Sequence, residues 1–349
     1  AKGTAYYINP LIAQANVFGI GGYRHKFGGS FSQYFKSNDF VLDTDGYIDY
    51  GFANKDVRGK GGIGLTYYPK KFVRTYIRFG DYYDMINTFS SLSTVFSRSN
   101  YVRAKMYSIE QRMEVFNGLY ASLTYEFCDQ IPINNLVQDG WSDQLFGDVN
   151  NPVEFQRYKK SEFNLNIQWR PGQTYYIKKN RKIVTGFKYP EVRFNYRKGV
   201  PKMFGSEVNF DYVELRIHDD YQLPRFGTGS WTIQGGAFVN KANLRLLEYK
   251  YFRGSDFFFF SDPNASFQLL DRVFLTPNAY YRGNYVHSFN GMFFNKIPLL
   301  NRCVGIAGNL CIFTTNFRII FANRAFPVVT ILLRSNDSLA RYCFIVLIL

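Results

Sequence analysis

The chain has no long hydrophobic run. Its longest apolar stretches, Phe257 to Phe260 and Cys343 to Leu349, fall far short of the ~18–20 residues that a transmembrane helix needs. Membrane-crossing helices are therefore excluded. Histidine and cysteine are scarce. His25, His218 and His287 lie in separate segments, and Cys128, Cys303, Cys311 and Cys343 show no CxxC or other metal spacing. No metal and no cofactor are expected. The GxSxG and HExxH patterns and a complete phosphate loop are absent, so the chain is not expected to be an enzyme. Helical periodicity is hard to find.

Two fragments mimic chemistry. His218-Asp219-Asp220 has the composition of a base with its orienting carboxylates, although a polar strand end entering a turn explains it more simply. Gly59-Lys60-Gly61-Gly62 suggests a phosphate cradle, but it lacks the full spacing and a strand–loop–helix context. Glycines inside a strand more often allow curvature.

What is abundant is aromatic. Phe and Tyr number 36 and 28, and aromatics make up 19% of the chain, yet the mean hydropathy is negative. The dominant pattern is period two, as in a strand whose side chains alternate between faces. Phe163, Leu165, Ile167 and Trp169 alternate with Asn164, Asn166, Gln168 and Arg170; Ala121, Leu123, Tyr125 and Phe127 with Ser122, Thr124 and Glu126; Val73, Thr75, Ile77 and Phe79 with Arg74, Tyr76 and Arg78. Eleven strands are expected before residue 241, at 16–26, 29–37, 40–50, 57–68, 72–81, 101–116, 118–128, 160–170, 189–197, 206–218 and 229–240. Most match the ~9–11 residues of a tilted membrane strand. Within 206–218 the apolar parity changes from Val208, Phe210 and Tyr212 to Val213, Leu215 and Ile217. A bulge near Tyr212 explains this; burial of both faces is the alternative.

Long connections at 82–100, 129–159 and 241–272 follow odd strands. Tight turns at Pro69-Lys70 and Asn117-Gly118 follow even ones, while 171–188 and 219–228 depart from the pattern. Segregated loop lengths, aromatics on one parity and a fold class of all-β, antiparallel strands together predict a transmembrane β-barrel of roughly 12–16 strands. The net charge of +15 first suggests nucleic acid, but Lys and Arg recur at alternate strand positions and in turns without clustering. No nucleic-acid partner is expected; outer-membrane lipid is. Arg74, Arg78, Arg193 and Arg197 fall on the polar parity and are lumen candidates. They either set an anion preference or pair with residues such as Glu126 and Glu162.

Several segments carry a family resemblance: Tyr50-Gly51-Phe52-Ala53-Asn54-Lys55-Asp56-Val57-Arg58-Gly59-Lys60-Gly61-Gly62, Glu114-Val115-Phe116-Asn117-Gly118-Leu119-Tyr120, Ser266-Phe267-Gln268-Leu269-Leu270-Asp271, Phe289-Asn290-Gly291 and Asn295-Lys296-Ile297-Pro298-Leu299-Leu300. Over roughly residues 1–301 the chain resembles the Bacteroidetes-type outer-membrane proteins that contain a carboxypeptidase-regulatory-like domain, whose C-terminal half is a domain of unknown function. The resemblance implies a barrel in the outer membrane of a Gram-negative cell, without the N-terminal sandwich, and no catalytic residues. More distantly, the chain resembles the outer-membrane insertase superfamily, whose long loop after strand eleven carries an Arg-Gly-aromatic motif. Phe252-Arg253-Gly254 lies in the corresponding loop, but Ser255 follows it. That resemblance implies that Arg253 and Gly254 sit inside the lumen.

Residues 302–349 differ in character, with five Arg, no Lys, no Glu and only Asp337 as an acid. The expected division is therefore a barrel domain at 1–301 and an atypical tail at 302–349. The tail reads as truncated or frameshifted closing strands in preference to an ordinary divergent end. No signal peptide is visible at Ala1, so a mature form or a piece of a longer precursor is expected. The functional expectation is a monomeric outer-membrane barrel in envelope biogenesis, protein assembly or secretion, with other envelope proteins as partners. The alternatives are a channel or receptor for anionic solutes and a soluble β-rich binding protein.

Overall fold

The computed structural model describes residues 3–36, 39–86, 101–134, 136, 153–224, 226–253, 273–288, 314–322, 328–334 and 343–348, the last three segments as backbone only. The chain is all-β. Its strands are β1 (Thr4–Ile8), β2 (Ala15–Gly19), β3 (Gly22–Phe35), β4 (Phe40–Gly51), β5 (Asp56–Tyr67), β6 (Val73–Met85), β7 (Tyr101–Phe116), β8 (Leu119–Ile131), β9 (Tyr158–Trp169), β10 (Thr174–Lys178), β11 (Arg181–Gly186), β12 (Glu191–Gly199), β13 (Asn209–Leu223), β14 (Gly227–Asn243), β15 (Lys250–Arg253), β16 (Val273–Thr276), β17 (Tyr280–Ser288), β18 (Thr314–Ala322), β19 (Val328–Arg334) and β20 (Cys343–Ile348). A large antiparallel sheet runs in the order β1-β3-β4-β5-β6-β7-β8-β9-β12-β13-β14-β17-β18-β19-β20, with β2 also paired to β3. β10–β11 and β15–β16 form two separate hairpins.

The register makes the sheet two-faced. Tyr6, Phe31, Thr44, Ile63, Ile77, Ile109, Tyr125 and Phe163 are successive cross-strand partners in one row. One residue away along each strand runs Ser30, Asp45, Gly62, Arg78, Ser108, Glu126 and Glu162. A shift by one residue exchanges the faces, so these adjacent rows are the apolar and the polar sides of one sheet. Tyr76 and Phe79 lie on opposite sides, and glycines make room for both. A Cβ on Gly64 would stand 2.6 Å from the Tyr76 ring, and one on Gly61 would stand 3.1 Å from Phe79. Gly59-Lys60-Gly61-Gly62 is thus mid-strand, in β5.

Three expectations change. The strands expected at 16–26 and 29–37 are largely one strand, β3, and the first strand of the sheet is β1, continued by β2. The break expected at 27–28 lies within β3, where a Cβ on Gly28 would come 2.7 Å from Cβ of Tyr47 and one on the adjoining Gly29 would come 2.5 Å from the Tyr7 carbonyl. Second, Asp219 to Leu223 and Gly227 to Thr228 continue their strands, so the connection expected at 219–228 shrinks to 224–226. Third, β13 keeps one phase along β12, from Gly199↔Phe210 to Glu191↔His218. The register shifts lie on its β14 side, between Asn209 and Tyr212. Val208, Phe210 and Tyr212 are buried because a second layer covers them, which is the two-face alternative.

The connections 86–100, 132–157 and 244–279 all leave one end of the sheet, and the short turns 36–39, 68–72, 117–118 and 224–226 lie at the other. Gly118, at φ +84°, permits the two-residue turn between β7 and β8. Two long connections, 170–190 and 289–313, also leave the short-turn end. The segments 254–272 and 289–313, which include Gly254, Phe257 to Phe260 and three of the family-resemblance segments, lie outside the described residues, as does the whole of 137–152 with Trp141. The tail contributes β18, β19 and β20, which extend the sheet from β17.

Candidate functional site

The polar side of the sheet is covered by the chain itself. After β14 the backbone turns back over this face, and residues 248, 250 and 252 anchor it. Glu248, 2% exposed, accepts hydrogen bonds from the Tyr158 hydroxyl at 3.1 Å, Lys160 Nζ at 3.4 Å and Arg197 Nη2 at 3.0 Å. Lys250 Nζ lies 2.5 Å from Glu214, which also accepts from the Tyr212 and Tyr280 hydroxyls. Phe252 meets the Tyr280 ring edge-on at 4.8 Å and joins a buried cluster with Val208, Phe210 and Phe238. The alternation of these anchors is the strand period carried into the connection.

The wall beneath is a charge network. Arg197 Nε donates to Glu162 at 2.6 Å, and Lys160 lies 3.0 Å from Glu126 and 3.3 Å from Glu162. Two cations and three carboxylates thus share one largely buried patch, in which Glu126 is partly exposed and Glu248 is brought in by the returning segment. Buried charges of this kind persist only when each is paired and hydrogen-bonded. A cavity of about 290 Å³ lies between this segment and β6, β7 and β8, lined in part by Tyr82, Asp84, Glu126, Cys128 and Lys160.

The four arginines singled out in the strands share this face but do not converge. Arg74 and Arg78 flank the Tyr76 ring at 4.7 and 4.5 Å, and the Tyr76 hydroxyl donates to Asp45. Arg78 is 3.3 Å from Glu110, and Arg74 is 3.8 Å from Asp43. On β12, Arg193 is 2.5 Å from Glu191, and Arg197 joins Glu162 and Glu248. Glu126 pairs with Lys160 and not with an arginine. Arg253 closes β15 opposite Val273. Among the described residues no cluster of three or more His, Cys, Asp or Glu is arranged for a metal. His218 sits within β13, where Nδ1 is 3.0 Å from the Trp231 carbonyl and Nε2 is 3.4 Å from Asp220. The residues that organise the site, Lys160, Glu214, Glu248 and Lys250, carry no motif. The legible signal was the alternation of Glu248, Lys250 and Phe252 inside a supposed loop.

Residues 1–307 match the C-terminal domain of a family of unknown function, DUF5686. The chain belongs to that family. The match is to a domain of unknown function and does not extend to the carboxypeptidase-regulatory-like family expected from the sequence. No curated protein matches the chain. Among solved structures the DUF5686 domain is similar to BamA from Haemophilus ducreyi lacking POTRA domains 1–3, at a TM-score of 0.46 and 10% identity, over 99% of this chain and 69% of that one.

A second layer covers the short-turn end of the DUF5686 domain. The β10–β11 hairpin is fixed at its base by Gln173, which takes hydrogen bonds from the Asn117 side chain and the Tyr120 hydroxyl. Midway, Lys182 is 2.6 Å from both carboxylate oxygens of Glu114. At the tip Asn180 Nδ2 donates to Asp39 at 2.6 Å, and Arg181 lies over the Tyr34 ring at 5.0 Å. The hairpin therefore reaches from the β9–β12 connection past the β7–β8 turn to the β3–β4 turn.

Proposed function

We propose that this chain is the membrane-embedded β-barrel of a bacterial outer-membrane protein that works in assembly or export at the envelope. The observation that carries this reading is the inversion of the two faces. Phe27, Ile48, Tyr107 and Ile233 are 60%, 62%, 63% and 59% exposed, all on the bare apolar side. The opposite side buries Arg24, Lys160, Glu162 and Glu248. In water each large apolar side chain left exposed forgoes about 1.5–3 kcal/mol, and a row of them across eight strands is an aggregation surface. In lipid the same row is the expected outer band of a barrel. A soluble binding protein has no use for such an arrangement.

A lumen role in conduction is less well supported. Arg78, Arg193 and Arg197 each face a carboxylate, so this wall offers little net field to an anion. The wall is also occupied by the protein's own segment from Glu248 to Phe252, which suits handling of other chains or lipids better than passive diffusion. The test is heat modifiability after an alkaline carbonate wash of the membranes. A band that resists carbonate and shifts on boiling is expected; release into the wash, or no shift, overturns the reading.

A further inference from the structure

The hairpin at the short-turn end has a chemistry unlike the rest of the molecule. Residues 171–190 contain Lys178, Lys179, Arg181, Lys182 and Lys188 and no Asp or Glu, so five of the fifteen net positive charges fall in twenty residues. Basic residues are thus concentrated here, which corrects the expectation of an even spread. Lys182 is consumed by Glu114, whereas Lys178, Lys179 and Arg181 are exposed and make no ion pair among the described residues, although Arg181 lies near enough to Asp39 to help hold its carboxyl down. Asp39 beside the tip is engaged by the Tyr34 hydroxyl and Asn180. Tyr175, Tyr176, Ile177 and Ile183 are all exposed on the same two strands. β10 and β11 pair only with each other among the described strands, so both outer edges present unpaired backbone groups. Such an edge is a template for another extended chain.

We propose that the β10–β11 hairpin is a docking strip for an acidic polypeptide segment that adds to its edge in extended form. Lysines on an open edge repel basic strands and disfavour neutral ones, whose docking would strip water from an unpaired charge. The same charges attract a strand bearing Glu or Asp, and the exposed Tyr and Ile offer contacts to its alternate side chains. A polypeptide is favoured over an anionic lipid surface by position. The hairpin is tied to Glu114 and to the Tyr34 ring, on the polar side of the sheet and away from the bare apolar face. The choice of a polypeptide over lipid rests on the proposed reading that the apolar face meets lipid; failure of the carbonate and boiling test removes that reading, whereas a heat-modifiable chain that does not bind the peptide removes the docking strip alone.

The experiment uses the whole chain in nanodiscs of zwitterionic lipid. A labelled peptide of about twelve residues alternating Glu and Val is titrated by fluorescence anisotropy, with a Gln–Val peptide as its neutral control. Saturable binding of the acidic peptide is expected, weakened by salt and reduced at least about tenfold by the combined substitutions Lys178→Glu, Lys179→Glu and Arg181→Glu. The three-charge reversal Lys55→Glu, Lys202→Glu and Lys241→Glu, at exposed positions toward the opposite end of the sheet, should leave binding intact. Unchanged circular dichroism and heat modifiability verify that the variants fold. Equal binding of the neutral peptide, no binding at all, or equal loss in both reversed variants overturns the proposal. Displacement of the peptide by soluble short-chain phosphatidylglycerol at comparable concentration assigns the strip to lipid and also overturns it.

Discussion

Glu248 is the residue on which the inner layer turns. It is contributed by a connection, yet it completes the surroundings of Lys160 and Arg197 on the wall. Removing one partner from a buried ion network leaves the others uncompensated and costs about 3–5 kcal/mol. Glu248→Ala should therefore lower the unfolding free energy, read from denaturant titration in lipid vesicles, by an amount of that order. In a double-mutant cycle with Lys160→Met, the combined loss should be well below the sum of the single losses. Additive losses would show that the contact is not a coupled pair. On the opposite face, Ile77→Arg separates the two environments. Near the middle of a bilayer, arginine on the lipid face costs about 2–4 kcal/mol, whereas on a water-facing surface the same change is nearly neutral. Thr124→Arg on the polar face should be far less damaging, and refolding yields into vesicles would show the difference. What was legible at this scale was parity. Arg74, Arg78, Arg193 and Arg197 were placed on the polar face by alternation alone, because a strand leaves a side chain only two directions. Their partners were not legible, because cross-strand register depends on turns and bulges that alternation does not encode. Arg197 with Glu162 lies 35 residues apart in sequence, and nothing local links them.

At the scale of elements, glycine misled in one place and informed in another. A break was expected at 27–28, where glycine favours a turn, but Gly28 and Gly29 serve close approach inside β3. In β5 the glycines were correctly read as strand residues, and the structure adds the reason: aromatic rings lie across them. Gly64→Val should consequently destabilise the chain by about 1–3 kcal/mol through collision with Tyr76, and pairing it with Tyr76→Ala should recover part of the loss. The hairpin was not legible as an element because 171–188 was judged only as an overlong connection. Its tip carries a pH dependence. Hydrogen bonds from the Tyr34 hydroxyl, and then from Asn180, hold the Asp39 carboxyl below the ordinary aspartate range. A carboxylate depressed in the folded state contributes its tie fully above the unfolded value of about 3.9 and loses it as pH falls through the lower folded value. Spin labels at Lys179→Cys and Lys70→Cys should thus report a fixed distance at neutral pH that lengthens only in acid below the usual aspartate range. In Asp39→Asn the distance should not respond to acid.

At the scale of the whole molecule, the two covering layers bear on what the chain can transmit. The sheet's described edges, β1 and β20, run in the same direction, since fourteen antiparallel steps along the order separate them. Direct pairing of these two edges would be parallel, and an antiparallel closure of the kind bacterial barrels use needs one further strand. Closure is therefore a separate question from occlusion, and conductance addresses the second. With Glu248, Lys250 and Phe252 seated on the wall and the hairpin held across the short-turn end, the chain in a planar bilayer should show little steady current. Replacing Glu248, Lys250 and Phe252 together by serine removes the anchors while leaving the wall's arginine–carboxylate pairs, apart from those Glu248 supplies. Current should then rise. Charge reversal of Arg74 and Arg78 in that background should change ion preference only slightly, because both lie on a wall rich in carboxylates. A steady anion-selective current from the unmodified chain, reversed by Arg74→Glu and Arg78→Glu, would instead make the arginines the working residues and reduce the inward segment to a structural filler.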